Sequence, residues 1–134
     1  MNDKDYERAR KGDKNLQGAN LIGADLKADY HPLMGFSYVD LSGANLRGAD
    51  LRDADLSGAD LRDADLRDAN LRDANLTKTH LEGADLSFAD LTNAHLEGAK
   101  LEGAKLERAK GLIKKQRESP EDPLSRYYRT GSWL

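Results

Sequence analysis

The chain has 134 residues, and its 24 acidic and 21 basic side chains give a formal net charge of −3 at neutral pH. This length indicates one domain. The absence of cysteine excludes a disulfide framework and a cysteine-based zinc site. Because the sequence shows neither an apolar run at its start nor a membrane-spanning run elsewhere, we expect a soluble cytoplasmic protein without membrane contact.

Residues 1–13 are predicted to form an N-terminal helical cap. Asp3 to Lys11 is typical of a short helix, with Asp3 or Asp5 capping its start and Gly12 following its end. A helix of this length is not stable alone. We therefore expect it to dock on the structure that follows and to cover an edge of unpaired backbone.

From residue 14 to residue 110 the sequence repeats every five residues, as in Ala49-Asp50-Leu51-Arg52-Asp53. On an α-helix, a five-residue step would rotate successive leucines by about 140° and scatter them around the helix, so a helix is excluded. A fixed short period indicates a solenoid whose repeats stabilise their neighbours. The predicted core leucines of the regular part are Leu41, Leu46, Leu51, Leu56, Leu61, Leu66, Leu71, Leu76, Leu81, Leu86, Leu91, Leu96, Leu101 and Leu106.

Each repeat is predicted to hold one short strand and one tight turn. In an extended segment residues two apart point the same way, so alanine and leucine face inward while the Asp or Asn between them faces water. The second position after leucine is usually Gly, Asp or Asn, which suits the positive φ of a turn. Lys78, Phe88 and Arg108 depart from this rule of residue type. The pattern predicts an all-β solenoid.

The run of Ala-(Asp/Asn)-Leu-X-(Gly/Asp) resembles the repeats of the pentapeptide repeat family over residues 14–110. The resemblance implies a right-handed, four-sided (quadrilateral) β-helix with four repeats per coil and about five coils. Short helical caps are expected at the N terminus and the C terminus. Most members of the family have no assigned biochemical role, which is consistent with a non-catalytic scaffold or protein–protein interaction module. Some members imitate duplex DNA and bind a type II topoisomerase such as gyrase, which is the alternative.

The charge pattern favours a protein scaffold over a DNA mimic. Residues 39–110 carry 15 acidic and 10 basic side chains, whereas duplex DNA presents one negative charge per about 1.7 Å of its axis. With four repeats per coil, residues twenty apart are stacked, which places Arg62 beside Glu82 and Asp60 beside His80. We expect the partner to be another protein, without direct binding of nucleic acid.

An irregular loop at residues 27–35 interrupts the repeats. Continued repetition would place His31 at a central core position, which does not suit a dry interior. We expect residues 28–30 to take over the inward pattern, residues 31–33 to bulge outward and residues 34–36 to restore the coil. The bulge is either a tolerated kink or a contact loop. Its candidate partner contacts are Tyr30, His31 and Tyr38.

Residues 111–134 leave the repeat and are predicted to form a C-terminal cap followed by an aromatic and basic tail. Aromatic residues with arginine are typical of binding hot spots. The tail is therefore either part of the cap, or a segment that binds a partner or joins two copies in a homodimer. Its candidate contacts are Tyr127, Tyr128, Arg129 and Trp133.

The sequence indicates no enzyme. His80 and His95 are fifteen residues apart and fall on adjacent sides of a four-sided coil, without a stacked acid–base partner. Alanine and leucine fill the interior and leave no pocket for a substrate. We expect no catalytic residue, no metal ligand and no cofactor.

Overall fold

The computed structural model describes residues 2–27, 29–31, 33 and 35–112. In chain order its elements are helix α1 (Asp3–Arg10), strand β1 (Asp29–His31) and strand β2 (Gly35–Ser37). The remaining described residues form a stack of coils joined by parallel bridges between single residues. No helix in this part of the chain is long and apolar enough to span a membrane.

The repeats form a four-sided β-helix. The residue before each central leucine forms a parallel bridge to the equivalent residue of the next coil. After the first coil, these bridged residues are twenty positions apart in the sequence. We number the four columns of bridging residues as sides 1 to 4. They are Asn15, Asn45, Asp65, Asp85 and Lys105 (side 1); Asn20, Asp50, Asn70, Asp90 and Lys110 (side 2); Asp25, Asp55, Asn75 and His95 (side 3); and Asp40, Asp60, His80 and Lys100 (side 4). Columns of five, five, four and four residues amount to about four and a half coils.

Leucine and alanine fill the interior, as the sequence pattern predicts. Every central leucine from Leu16 to Leu106 is buried, and the residue two positions earlier is buried throughout the regular coils. Thr79 takes the place of one of these alanines and has no exposed surface, but its hydroxyl donates to the carbonyl oxygen of Leu56 at 2.8 Å. The coils therefore enclose one narrow, continuous core.

The turn after each leucine contains one residue in the left-handed region, with φ between 57° and 76° at these corners. Lys78, Phe88 and Arg108 adopt φ values of 57°, 63° and 58°. These three residues depart from the rule of residue type but keep the geometry of the turn. Because an L residue costs about 1–2 kcal/mol in this region, the fold tolerates strain at these corners.

Helix α1 is capped by Asn2, whose side-chain Oδ1 accepts a hydrogen bond from the amide of Lys4 at 3.0 Å. The expectation that Asp3 or Asp5 caps the helix is wrong. The carboxylate of Asp5 accepts instead from the amide of Asn20 at 2.9 Å, so it joins the helix to the first coil.

Helix α1 contacts backbone groups at the open end of the first coil. The amide of Asn2 donates to the carbonyl of Asn20 at 3.1 Å. The Tyr6 hydroxyl donates to the carbonyl of Asp25 at 3.4 Å, and the guanidinium of Arg8 donates to that of Asn15. Groups that would otherwise form an exposed edge are thus paired with the helix.

The irregular segment is a β-hairpin inserted into the first coil. Strands β1 and β2 are antiparallel, with Asp29 opposite Ser37 and His31 opposite Gly35. Asn15 bridges Asn45, thirty residues later instead of twenty, so the first coil has gained ten residues without loss of stacking.

This hairpin corrects the expectation for the irregular segment. Residues 29, 30, 35 and 36 were expected to form part of the coil, which is wrong, because β1 and β2 pair with each other instead. The coil resumes with the bridge at Asp40. The irregular segment therefore extends beyond the predicted bounds of 27–35.

Candidate interaction surface

The hairpin lies at the corner between sides 3 and 4, since it follows the side 3 bridge at Asp25 and precedes the side 4 bridge at Asp40. Leu33, between the two strands, is 90% exposed. Tyr38, which follows β2, is 56% exposed. Two large side chains that usually contribute to a core are therefore presented to solvent at this corner.

Tyr38 lies near an ion pair on side 4. Nε of Arg62 donates to Oδ1 of Asp60 at 2.9 Å, and Nη2 donates to Oδ2 at 2.6 Å. The hydrogen bonds from Arg62 lower the pKa of Asp60, although burial of the carboxyl acts in the opposite direction. The same hydrogen bonds raise the pKa of Arg62. The backbone beside Tyr38 contacts this repeat, since the Val39 carbonyl accepts from the Asp60 amide at 3.2 Å.

Side 4 is the most acidic side of the β-helix. Counting the four residues from each bridging position, it has a net charge of about −3, whereas sides 1 to 3 lie within about one charge of neutral. Its charged residues are Asp40, Asp60, Arg62, Asp63, Glu82, Lys100 and Glu102. Glu82 Oε1 lies 3.4 Å from His80 Nδ1, while the buried Glu82 Oε2 has no hydrogen-bond partner in the described part of the chain. The hairpin is thus adjacent to a negatively charged side.

Three of the five arginines that pair in the regular coils do so within a repeat, with the aspartate before leucine, whereas Arg47 and Arg72 pair with Asp68 and Asp90 of the next coil. Within its repeat, Arg52 pairs with Asp50 at 2.7 Å. Stacking of Asp60 beside His80 is confirmed by their bridge. Stacking of the Arg62 repeat on the Glu82 repeat is also confirmed, since the Asp63 amide donates to the Glu82 carbonyl at 3.0 Å, while the guanidinium of Arg62 pairs with Asp60 in its own repeat.

A second exposed aromatic residue lies at the corner between sides 1 and 2. Phe88 is 53% exposed, and the guanidinium carbon of Arg108 lies 5.6 Å from the centre of its ring. Sequence reasoning treated these residues as two separate departures from the corner rule. Phe88 and Arg108 are twenty residues apart, which is the length of one coil. This spacing in the sequence could have predicted their contact.

The structure places the predicted contact residues as follows. Tyr38 is exposed at the end of the hairpin, and Tyr30 and His31 lie in β1 opposite Phe36 and Gly35. The predicted contacts of the tail lie outside the described residues; they are Tyr127, Tyr128, Arg129 and Trp133. In the part of the chain that is described, no group of three His, Cys, Asp or Glu residues is arranged to hold a metal ion.

A β-helix of five-residue repeats defines the class of this protein, and comparison with known families gives the same result. The family model described as pentapeptide repeats matches residues 36–73 and 69–108, with 8 copies of the repeat. These matches span more than half of the sequence, so the chain belongs to the pentapeptide repeat family. Structures of this family are right-handed quadrilateral β-helices, and its members are generally non-enzymatic structural or interaction proteins.

Several solved structures are similar to this chain. A pentapeptide repeat protein of the Arabidopsis thaliana thylakoid lumen is 36% identical with a TM-score of 0.57, over 78% of this chain and 68% of that one. Rfr23 of the cyanobacterium Cyanothece is 26% identical with a TM-score of 0.49, over 79% of this chain and 95% of that one. HetL of Nostoc, involved in regulation of heterocyst differentiation, is 34% identical with a TM-score of 0.42, over 74% of this chain and 51% of that one. No curated protein sequence matches the chain.

Proposed function

We propose that this chain is a non-catalytic β-helical scaffold that binds another protein through the hairpin and the adjoining part of side 4. The main support for this proposal is that the hairpin is inserted into the β-helix although the coils stack without it. Ten residues are added between the bridges at Asp25 and Asp40, and every later coil keeps its twenty-residue period. Loops held by a rigid scaffold are common sites of recognition.

The exposed side chains and the charge of this surface indicate the chemistry of the partner. Leu33 and Tyr38 offer apolar area at the hairpin, and side 4 offers carboxylates beside it. A partner with an apolar recess bordered by basic residues would complement both features. Tyr30 and His31 of β1 are proposed to add to this contact.

The interior of the β-helix supports a role in binding instead of catalysis. Central leucines such as Leu51, Leu61 and Leu71 have no exposed surface, and neither do the alanines stacked beside them at positions 49 and 59. An interior filled in this way has no room in which a substrate would be desolvated. Recognition is therefore proposed to take place on the outside of the coils.

The test compares the intact chain with two variants, a deletion of residues 28–37 and Tyr38→Ala. Each tagged protein is used to capture proteins from host lysate at moderate salt, and the captured protein is then purified and its affinity measured directly. We expect the intact chain to bind it, the deletion to lose binding and Tyr38→Ala to weaken it about tenfold. Equal binding by all three proteins would refute the hairpin surface. Capture of topoisomerase subunits by all three would instead support the DNA-mimic alternative.

The C-terminal tail and the location in the cell belong to the same proposal. A version that ends at Leu112 keeps every leucine that is buried in the described part of the chain and removes the tail. If the tail joins two copies, light scattering will report a dimer for the intact chain and a monomer for the shortened one. Cytoplasmic location stays a prediction, to be tested by fractionation of the host cell.

A further inference from the structure

We propose that the corner between sides 1 and 2 is a second recognition site, which binds an acidic, partly apolar segment of a partner protein. The site consists of Phe88 and Arg108, with Lys105 and Lys110 beside them, and we call it the Phe88 corner. It rests on the proposed function in treating the chain as a protein-binding scaffold, but it uses residues that the hairpin surface does not.

Both central residues of the Phe88 corner occupy positions where their side chains are unfavourable. Phe88 and Arg108 have φ values of 63° and 58°, in the left-handed region that glycine, asparagine or aspartate occupies at most other corners. Phe88 is 53% exposed, so burial in the core does not offset this strain. Since Lys78 shows that the fold tolerates such a φ, the exposed aromatic ring at this corner, and not the strain, indicates recognition.

Arg108 differs from the other arginines in the described part of the chain. Arg10 donates to the carbonyl of Asp25, and the remaining arginines pair with carboxylates: Arg8, Arg47, Arg52, Arg62, Arg67 and Arg72. The guanidinium of Arg108 lies over the Phe88 ring and forms no ion pair with a described residue. Because a cation–π contact uses the face of the ring and no N–H hydrogen bond, the N–H groups of Arg108 remain available to bind a carboxylate.

Four carboxylates lie near this corner, and each already accepts a hydrogen bond. Asp85 and Asp90, which bridge to Lys105 and Lys110, accept from the Ser87 amide at 3.0 Å and from the Thr92 hydroxyl at 2.5 Å. Glu107 accepts from the Ser87 hydroxyl at 3.1 Å, and Asp68 accepts from Nε of Arg47 at 3.3 Å.

The cations of the last coil are available for a partner. Lys105 and Lys110 begin the two sides that meet at the Phe88 corner; both are exposed and form no ion pair with a described residue. Three cationic groups, those of Lys105, Arg108 and Lys110, therefore lie around an exposed aromatic ring, with Asp85 and Asp90 in the coil below the two lysines. A peptide with a carboxylate next to an apolar side chain fits this combination.

The rest of the β-helix argues against a nucleic acid as the occupant. Residues 39–110 carry 15 acidic and 10 basic side chains, so a long polyanion would be repelled by most of the surface. The Phe88 corner is also diagonally opposite the corner that bears the hairpin, and it lies in the last two coils instead of the first. A short segment of a partner can occupy it while the hairpin surface binds elsewhere.

The test uses a phage library of random dodecamer peptides selected against the immobilised intact chain. We expect selected peptides to combine Asp or Glu with an apolar residue. Synthetic copies should lose affinity by about tenfold or more when Arg108→Gln or Phe88→Gly is introduced, as measured by fluorescence anisotropy. Phe88→Gly places glycine at a φ that it adopts freely, so loss of binding will not come from unfolding. The matched control is Lys78→Gly, which relieves the same strain at the opposite corner and should leave affinity unchanged.

The other outcomes separate this proposal from the function proposed above. Peptides that lack acidic residues, or that bind Arg108→Gln and Phe88→Gly as tightly as the intact chain, would overturn the Phe88 corner. Peptides weakened only by Tyr38→Ala would overturn it and still support the hairpin surface. Binding of a labelled DNA duplex that Arg108→Gln abolishes would show that the corner recognises phosphate, which contradicts an acidic peptide as the occupant.

Discussion

The carboxylate of Asp60 accepts hydrogen bonds from both the backbone amide and the guanidinium of Arg62. Its Oδ1 accepts from the Arg62 amide at 3.1 Å and from Nε at 2.9 Å, while Oδ2 accepts from Nη2 at 2.6 Å. The Asp60 side chain is 6% exposed, whereas that of Arg62 is 54% exposed. One buried acid thus closes the turn after its strand and orients an exposed base.

Substitution of Asp60 should separate these two roles. Asp60→Asn keeps the acceptor for the Arg62 amide and removes the charge; because Arg62 is exposed and screened by solvent, we expect a cost of at most about 1 kcal/mol. Asp60→Ala also removes the acceptor, and about 2 kcal/mol is expected. Urea unfolding followed by circular dichroism measures both. Asp50→Asn, where the acid is 30% exposed, is the control and should cost less than Asp60→Asn. Equal losses for Asp60→Asn and Asp60→Ala would show that the charge dominates.

The stability of the chain should fall in acid. Hydrogen bonds from neighbouring groups lower the pKa of the carboxyls of Asp13, Asp40, Asp50, Asp60, Asp65 and Asp90. Since these pKa values are lower in the folded state, the stabilisation is present above the unfolded pKa of about 4 and is lost as pH falls through the folded values. The thermal midpoint should therefore decrease from about pH 5 towards about pH 2. A midpoint that rises over this interval would contradict the assignment.

The origin of a lowered carboxyl pKa can be tested at a single residue, Asp40. Hydrogen bonds lower the pKa of Asp40 to about 2. The largest contribution comes from the Ser42 hydroxyl, followed by the Ser42 amide and the side chain of Lys14. Ser42→Ala removes the hydroxyl donor, so we expect the Asp40 pKa to rise towards its ordinary value in a carboxyl NMR titration. Ser57→Ala removes a serine hydroxyl from a different repeat and should leave Asp40 unchanged. An unchanged Asp40 pKa in Ser42→Ala would assign the shift to the remaining donors.

The β-helix could be predicted from the sequence because every five-residue repeat places one leucine in the core. A leucine at every fifth position indicates a solenoid with the leucines inside, and the structure buries each of them from Leu16 to Leu106; the four sides were implied by the resemblance to the family. The hairpin was missed because its sequence has the length of two repeats. Pairing of Asp29 with Ser37 and of His31 with Gly35 depends on contacts inside the segment, which a five-residue template does not contain.

The candidate site was only partly predictable. Tyr38 was recognised as an exposed aromatic residue near the irregular segment, and the structure shows it 56% exposed. The Phe88–Arg108 contact was not predicted, since the residues were considered one at a time and not at the spacing of one coil. The charge pattern was predictable at the level of the repeat, because opposite charges were expected side by side both within a repeat and between coils, and both arrangements occur, as in Arg62–Asp60 and Arg47–Asp68.

Relief of strain at a corner should stabilise the chain. Lys78 has a φ of 57°, so Lys78→Gly removes an unfavourable left-handed L residue. We expect a gain of about 1 kcal/mol, lessened by the greater freedom of glycine in the unfolded state. Lys78→Ala is the matched control; it removes the same charged side chain but keeps Cβ, so no comparable gain is expected. Equal gains from the two variants in thermal unfolding would show that the charge of Lys78, and not its φ, is the source of instability.

Two glycines of the last coil should respond differently to alanine. At Gly103, with φ of 76°, a Cβ would lie no closer than 3.7 Å to its neighbours, so Gly103→Ala should cost only the left-handed penalty of about 1–2 kcal/mol. At Gly111, a Cβ would lie 2.3 Å from Cα and N of Thr92, which are backbone atoms and cannot move aside easily. Gly111→Ala should therefore destabilise the last coil more than Gly103→Ala. Hydrogen exchange of the last-coil amides measures the difference, and equal protection in both variants would contradict the predicted clash.

Deletion of the hairpin should leave the β-helix folded when the deleted segment has the length of two repeats. Deletion of residues 28–37 joins Lys27 to Tyr38 and returns the first coil to the twenty-residue spacing of the later coils. Because a change in loop length alters the closure entropy by only about 0.6 kcal/mol per doubling, we expect a small change in the free energy of unfolding. Deletion of residues 28–36, one residue fewer, is the control; it shifts the inward pattern by one position and should destabilise the first coil strongly. Circular dichroism and urea unfolding of the two deletions decide the question. If both lose the β-helix, the hairpin is required for folding and is not an independent insertion.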